Sequence, residues 1–176
     1  MSRIGYAPGA FDLFHIGHLN LLREAKSQCD FLIAGVVADD VLFAHKGIRP
    51  VIPLSERLEI VRSIRCVDSA VAATTNDKLA IWRELRFDVL FKGDDWRGTE
   101  KGNRLEQDFA SVGVEVVYFP YTTATSSSAL RRALQNVDAM AATLQPALND
   151  VRPRRRWVPA DPVRRKRVAE MSLQAR

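Results

Sequence analysis

Gly9-Ala10-Phe11-Asp12-Leu13-Phe14-His15-Ile16-Gly17-His18 follows a short apolar run, Ile4 to Ala7, and precedes the segment Leu19 to Ala25. The apolar run reads as a buried strand. In the segment beyond, Leu21, Leu22 and Ala25 recur at helical spacing. The ten residues between them are therefore a strand-to-helix turn. Gly9 suits the sharp part of that turn, because glycine tolerates positive φ. His15 and His18 stand three apart at the start of the helix and project to one side. Free backbone N–H groups and the positive end of the helix dipole lie there as well, a setting suited to a phosphate. Two imidazoles beside it can donate hydrogen bonds as charge builds on a phosphate oxygen. Capping or surface histidines and metal ligands are the competing readings. The chain offers one further histidine, His45, and its two cysteines, Cys29 and Cys66, are scattered. Phosphate chemistry leads.

Outward from the turn, apolar runs alternate with helical patterns. Phe31 to Val37 is continuously apolar, as a strand covered on both faces must be. Asp39 and Asp40 end it, and a loop follows with His45, Lys46, Gly47, Arg49, Pro50 and Pro53. A helix is predicted from Ser55, as N-cap, to Ile64. Ser69 to Ala73 is a third strand, Asn76 to Arg86 a helix, and Asp88 to Lys92 a fourth strand. Leu105, Phe109 and Val112 mark another helix, which Gly113 ends in the manner of a C′ residue. Glu115 to Phe119 is the fifth strand. Ser126, Ser127 and Ser128 open a last helix through Leu130 and Leu134. The pattern predicts an α/β fold, a Rossmann-like doubly wound parallel five-stranded sheet with helices on both faces. Ligands of such sheets sit beyond the carboxyl ends of the strands, where the histidine turn, the Lys46 loop, the Gly93-Asp94-Asp95-Trp96 turn and the Ser126 turn should converge.

The whole chain sets bounds on this reading. Its 176 residues, 47% hydrophobic and 27% charged, fit one globular domain with a full-sized core. No apolar run approaches the ~20 residues of a membrane span, and no signal peptide is read before the first strand. Two isolated cysteines point to reduced thiols and a cytoplasmic home. Residues 151–176 carry nine Arg or Lys against Asp161 and Glu170, so the tail nets +7 and the body −2 of the total +5. The basic balance belongs to the tail and is no general sign of nucleic-acid binding. The division is residues 1–144 as the folded domain and 145–176 as a basic Pro/Arg-rich tail. That tail reads as weakly ordered, with a candidate helix near Pro162 to Leu173 and a possible docking element at Trp157.

The H-x-G-H pattern after the G-x-F-D turn resembles the nucleotidyltransferase superfamily that includes the cytidylyltransferases. Lys92-Gly93-Asp94-Asp95-Trp96 is similar to the G-D-D-W stretch of the glycerol-3-phosphate cytidylyltransferase type. The resemblance covers residues 3–134 and implies transfer of CMP from CTP to the phosphate or phosphonate of a small molecule. It implies His15, His18 and Lys46 as the catalytic set, Lys46 as a mobile cation bridging the two substrates. Nucleotide binding falls to Gly9, Ala10, Phe11, Asp12, Gly17, Gly93, Asp94, Asp95, Ser126, Ser127 and Ser128. The acceptor falls to Lys46, Arg57, Arg65 and Asp68. Arg65-Cys66-Val67-Asp68 resembles a family segment at a dimer contact, so a homodimer is implied, as is Mg²⁺ carried by the CTP phosphates without a direct protein ligand. Four positions depart from the pattern: Ala10 for a threonine, Cys66 for an aromatic, Asn76 for a tryptophan and Tyr121 for an arginine. Two other functions stay open. One is an adenylyltransferase of the same fold, using ATP with a sugar-phosphate or FMN acceptor. The other is a non-enzymatic nucleotide-binding or scaffolding protein that uses the tail.

Overall fold

In the computed structural model, which describes residues 2–120, 122 and 125–148 (side chains through 142), five strands form one parallel sheet. The elements are β1 (Ile4–Gly9), α1 (Ile16–Ser27), β2 (Phe31–Val37), α2 (Asp39–Lys46), α3 (Leu54–Arg62), β3 (Ser69–Ala73), α4 (Lys78–Leu85), β4 (Val89–Gly93), a 3₁₀ turn (Asp94–Trp96), α5 (Glu100–Ala110), β5 (Glu115–Phe119) and α6 (Ser127–Leu148). Strand order is β3-β2-β1-β4-β5. The chain divides into two compact units, residues 1–136 and 137–176. The first holds the whole sheet. Of the second, the described part is the carboxyl half of α6, where Val137 and Met140 are exposed.

Two apolar layers flank the sheet. On one face, Ala7, Leu32, Ala34, Val36 and Phe91 pack with Leu22 and Ala25 of α1 and Val61 of α3. On the other, Tyr6, Ile33 and Leu90 pack with Ile81 of α4 and Leu105 and Phe109 of α5. Successive strand residues thus feed opposite faces, which is why the strands read as unbroken apolar runs. The doubly wound architecture expected from the sequence is the observed one. The order reverses between β1 and β4, so the switch point lies beyond the carboxyl ends of those two strands. The histidine turn leaves β1 there, and the Asp94–Trp96 turn leaves β4 there.

Several local expectations need correction. Asp39 to Lys46 is a helix, with two acids in its first turn, His45 and Lys46 in its last, and Gly47 as a left-handed cap at φ 67°. Its charges complement the helix dipole. Ser55 does not cap α3, whose N-cap is Pro53 without a side-chain bond. α4 starts at Lys78, capped by the Asp77 carboxylate accepting from the Ala80 amide. α5 ends at Ala110, and Gly113, at φ 74°, completes the exit turn later. Gly9 is the last residue of β1; positive φ falls on Phe11 (51°) and Leu13 (49°) instead. Gly9 is needed for proximity, since a Cβ there would stand 3.0 Å from the Phe11 ring. The tail reading at Trp157, Pro162 to Leu173 and the Arg runs, and Tyr121, lie outside the described residues.

Candidate active site

The turn after β1 builds the centre of the site. His15 is the N-cap of α1, its Nδ1 accepting from the Gly17 amide at 3.0 Å. That bond fixes the tautomer: Nδ1 bears the lone pair, so Nε2 carries the hydrogen. Nε2 lies 3.4 Å from the Ser127 hydroxyl, and that hydroxyl donates to the Asp12 carbonyl at 2.8 Å. Gly17 has a steric task, because a Cβ there would stand 2.8 Å from the His15 ring. One turn of helix brings His18 back under His15, and the rings stack with centroids 4.1 Å apart. His18 also meets Phe11 and Phe14, each at 5.4 Å between centroids. Burial, and then the neighbouring His15, push the His18 pKa down to about 4; burial also lowers that of His15. Both rings are thus neutral near pH 7, and each offers one N–H. His18 Nδ1 is buried and has no partner among the described residues.

Around this pair opens a cavity of about 920 Å³. Its wall includes His15, His18, Gly9, Ala10 and Gly17 from the first turn, and Lys46 from α2. Gly93, Asp95 and Trp96 line it beyond β4, and Ser127, Ser128 and Arg131 at the start of α6. A volume of this order suits a ligand of nucleotide size. Gly93 lets the next turn fold back, since a Cβ there would meet the Asp95 carboxylate at 2.7 Å. Ser126 caps α6 through its hydroxyl, which accepts from the Ala129 amide at 3.1 Å, and does not face the cavity. Asp94 and Phe11 are likewise outside its wall.

Asp12 touches the cavity but is occupied. Its carboxylate accepts from the Val51 and Ile52 amides and from Arg131, tying the turn to the loop after α2 and to α6. Burial raises its pKa, yet the Ile52 and Val51 amides and Arg131 outweigh that and hold it below the ordinary carboxylate value. Arg57 is fully buried and off the cavity wall. It donates to the carbonyls of Ile52, Ala10 and Val37 and to the Asp39 carboxylate. With its donors spent on β1, β2, α2 and their loops, it positions the site and is not free to hold an acceptor. Arg65 and Asp68 precede β3 and so stand at the opposite edge of the sheet from the histidines. Asp68 accepts there from Lys26 and the Leu32 amide, both at 2.6 Å. The structure therefore does not bring Arg57, Arg65 or Asp68 to the cavity of their own chain.

The cytidylyltransferase-like family model matches residues 6–133, which span the sheet, the histidine turn and the start of α6. The chain belongs to the cytidylyltransferase-like family. Among curated relatives, ethanolamine-phosphate cytidylyltransferase of Arabidopsis thaliana is 39% identical over 95 residues, 51% of this chain and 22% of that protein. Bifunctional protein HldE of Acidiphilium cryptum is 40% identical over 95 residues, 53% of this chain and 20% of that protein. The chain thus spans about a fifth of the length of these two relatives. FAD synthase of Thermococcus sibiricus is 27% identical over 130 residues, 73% of this chain and 88% of that protein. The lipopolysaccharide core biosynthesis protein of Thermoplasma volcanium shares the fold: TM-score 0.60, 24% identity, 71% of this chain and all of that one.

Arg131, Lys92 and Lys78 are cations of the cavity wall to which the sequence alone assigns no role. Arg131 stands one turn into α6 after Ser127, a spacing that places both on one side of the helix. Lys92 is the last residue but one of β4, with its ammonium 4.1 Å from the centroid of the Trp96 ring. Lys78 opens α4, and its ammonium lies 5.6 Å from the same centroid. For Lys92 a signal existed, a charge at the end of an apolar strand that otherwise faces the core. Lys78 reads in sequence as an ordinary solvated first-turn lysine. Among the described residues, no helix is long and apolar enough to cross a membrane.

Proposed function

We propose that this chain transfers CMP from CTP to the phosphate or phosphonate of a small molecule and releases pyrophosphate. The observation that carries the reading is the pair of stacked imidazoles at the start of α1, with His15 Nε2 3.4 Å from the Ser127 hydroxyl at the start of α6. Residues from two helix starts line one cavity, which suits a triphosphate. The acceptor oxygen is already an anion, so no general base is required. It attacks the α-phosphorus in line, a bond to it forms, and the bond to the bridging oxygen of pyrophosphate breaks. His15 and His18 donate to phosphate oxygens as that charge develops. Arg131 and the Ser127 and Ser128 hydroxyls steady the phosphates. Lys46, exposed at the end of α2, screens the two like-charged substrates.

Magnesium is proposed to enter with the nucleotide. Asp95 lines the cavity, and its carboxylate would hold, through water, an ion carried by the nucleotide phosphates. Such an ion would supply charge neutralisation on the leaving pyrophosphate. The cytidine preference is supported by Gly93-Asp94-Asp95-Trp96 and by the similarity to ethanolamine-phosphate cytidylyltransferase. Use of ATP is the second reading, favoured by the similarity to an FAD synthase over most of that protein's length. A homodimer is proposed from the Arg65 to Asp68 segment, testable by light scattering. The activity test is pyrophosphate release from CTP or ATP across a panel of phospho-alcohols and phosphonates. Release that needs both CTP and an acceptor supports the reading; equal turnover with ATP transfers it to the adenylyl alternative.

A further inference from the structure

Where β4 and the start of α4 meet, the cavity wall carries two lysines besides Lys46. Lys92 and Lys78 both lie against Trp96, at 4.1 and 5.6 Å from the ring centroid. Lys78 also donates to the Asn76 side-chain oxygen at 3.2 Å, and the Asn76 amide reaches His45 Nδ1 at 3.4 Å. All of these groups line the cavity. Among the described residues, neither lysine is in an ion pair; burial lowers the pKa of each by more than the charge of Asp95 raises that of Lys92 and the charge of Asp77 that of Lys78. Burial and the neighbouring Lys78 push the Lys92 pKa down to about 7, and Lys46 adds to that. Two cations held in a partly desolvated wall without counter-charge are costly. A wall built this way gains most from an anion, which restores the charged state and takes charge-assisted hydrogen bonds from both.

Resting on the nucleotidyl-transfer reading, we propose that the acceptor carries a second anionic group, distant from the phosphate that reacts, and that Lys78 and Lys92 bind it against Trp96 and Asn76. The substrate class is then a phosphorylated or phosphonylated acid and not a phosphorylated neutral alcohol or amine. Lys46 remains with the reacting phosphate, at the end of α2. A neutral polyol end would desolvate both lysines without supplying a counter-charge. The charged groups acting on Lys92 are Lys78, the Asp95 carboxylate and Lys46; Asp77 acts on Lys78, and Lys101 of α5 joins these lysines in acting on His45, whose pKa burial lowers. Lys46, Lys78, Lys92 and Lys101 thus outnumber Asp77 and Asp95.

The probes are 3-phosphoglycerate and glycerol 3-phosphate, which differ only in having a carboxylate or a hydroxymethyl group at one end. Calorimetric titration of the full chain is expected to show 3-phosphoglycerate binding at least about tenfold more tightly. Lys92→Met and Lys78→Met are each expected to bring the ratio close to one, with most of the loss falling on 3-phosphoglycerate. Lys92→Met keeps the chain length and removes a desolvated charge, so its melt should match or exceed wild type; Lys78→Met, at the first position of α4, covers the case in which it does not. Equal affinities in the wild type, a preference that survives both substitutions, or loss of CTP affinity in their place would overturn the proposal. Pyrophosphate release run alongside separates the two readings. A carboxylate preference in binding without release from CTP or ATP would sink the transfer reading alone, and release without preference would sink this one alone.

Discussion

His18 is where a single side chain decides most. Its ring is packed against His15, Phe11 and Phe14, and its pKa is pushed down to about 4. If its N–H meets charge only as the α–β bond breaks, its contribution belongs to the transition state. His18→Ala should lower kcat by ~10²- to 10³-fold with little change in KM for CTP. Steady-state kinetics with a thermal melt check this; near-normal kcat contradicts the role, and collapse of the fold assigns His18 to structure. The same burial makes a pH prediction. The folded pKa lies below the unfolded one, so the unfolded state binds the extra proton; stability is fully present above about pH 6.5 and falls as pH drops toward 4. The loss from His18 should approach about 3 kcal/mol once it is fully protonated, and urea titrations at pH 7 and 4.5 should show a clearly smaller loss in His18→Asn than in wild type. Gly17→Ala offers a sharper test of geometry. The added methyl would stand 2.8 Å from the His15 ring, so the ring must leave the cap. Turnover should fall by at least about tenfold while the melt shifts only slightly, since one lost cap costs about 1 kcal/mol.

At the scale of elements, Arg57 is the joint between the first turn, β2, α2 and the loop that follows α2. Its removal leaves the Asp39 carboxylate and the Ala10, Val37 and Ile52 carbonyls without their donor. Arg57→Met should therefore cost about 3–5 kcal/mol in urea unfolding, and Arg57→Lys should recover little, having one ammonium where a fork is needed. A change below about 1 kcal/mol would show that the network is dispensable. Which elements could be read from sequence follows from what each buries. β2, β3 and β5 were legible to the residue because strands covered on both faces are continuous apolar runs. α2 was not, because Leu42 is its one buried residue, and its acids and Gly47 read equally well as loop chemistry. The histidine turn was legible through spacing, Gly17 included, but its positive-φ residues were not: Phe11 and Leu13 hold that conformation because the buried Phe11 ring and the Asp12 network fix it, and glycine signals none of this. Arg57 and Asp12 looked like ligand contacts because charge in a motif suggests a ligand; their burial, visible only in three dimensions, assigns them to positioning. The meeting of Lys78 and Lys92 on Trp96 depends on how α4 and β4 come together in the folded layers, which no local pattern reports.

For the whole molecule, the sheet, the cavity wall and the family match all lie within residues 1–136. Deleting residues 151–176 should leave transfer largely intact; a truncation that melts normally but has lost turnover would show that the basic tail completes the site. The fold places the histidine turn of β1 and the turn after β4 at the switch point, with Ser127 and Arg131 of α6 lining the same cavity; this junction is the proposed nucleotidyl-transfer site. The most direct measurement is initial-rate pyrophosphate release by the full chain, with CTP and ATP in parallel, each with and without phosphorylated acceptors. The account predicts release that depends on nucleotide and acceptor together, runs in clear preference with CTP, and is lost in His18→Ala without loss of the fold. Acceptor-independent release, or release undiminished in that variant, would contradict it.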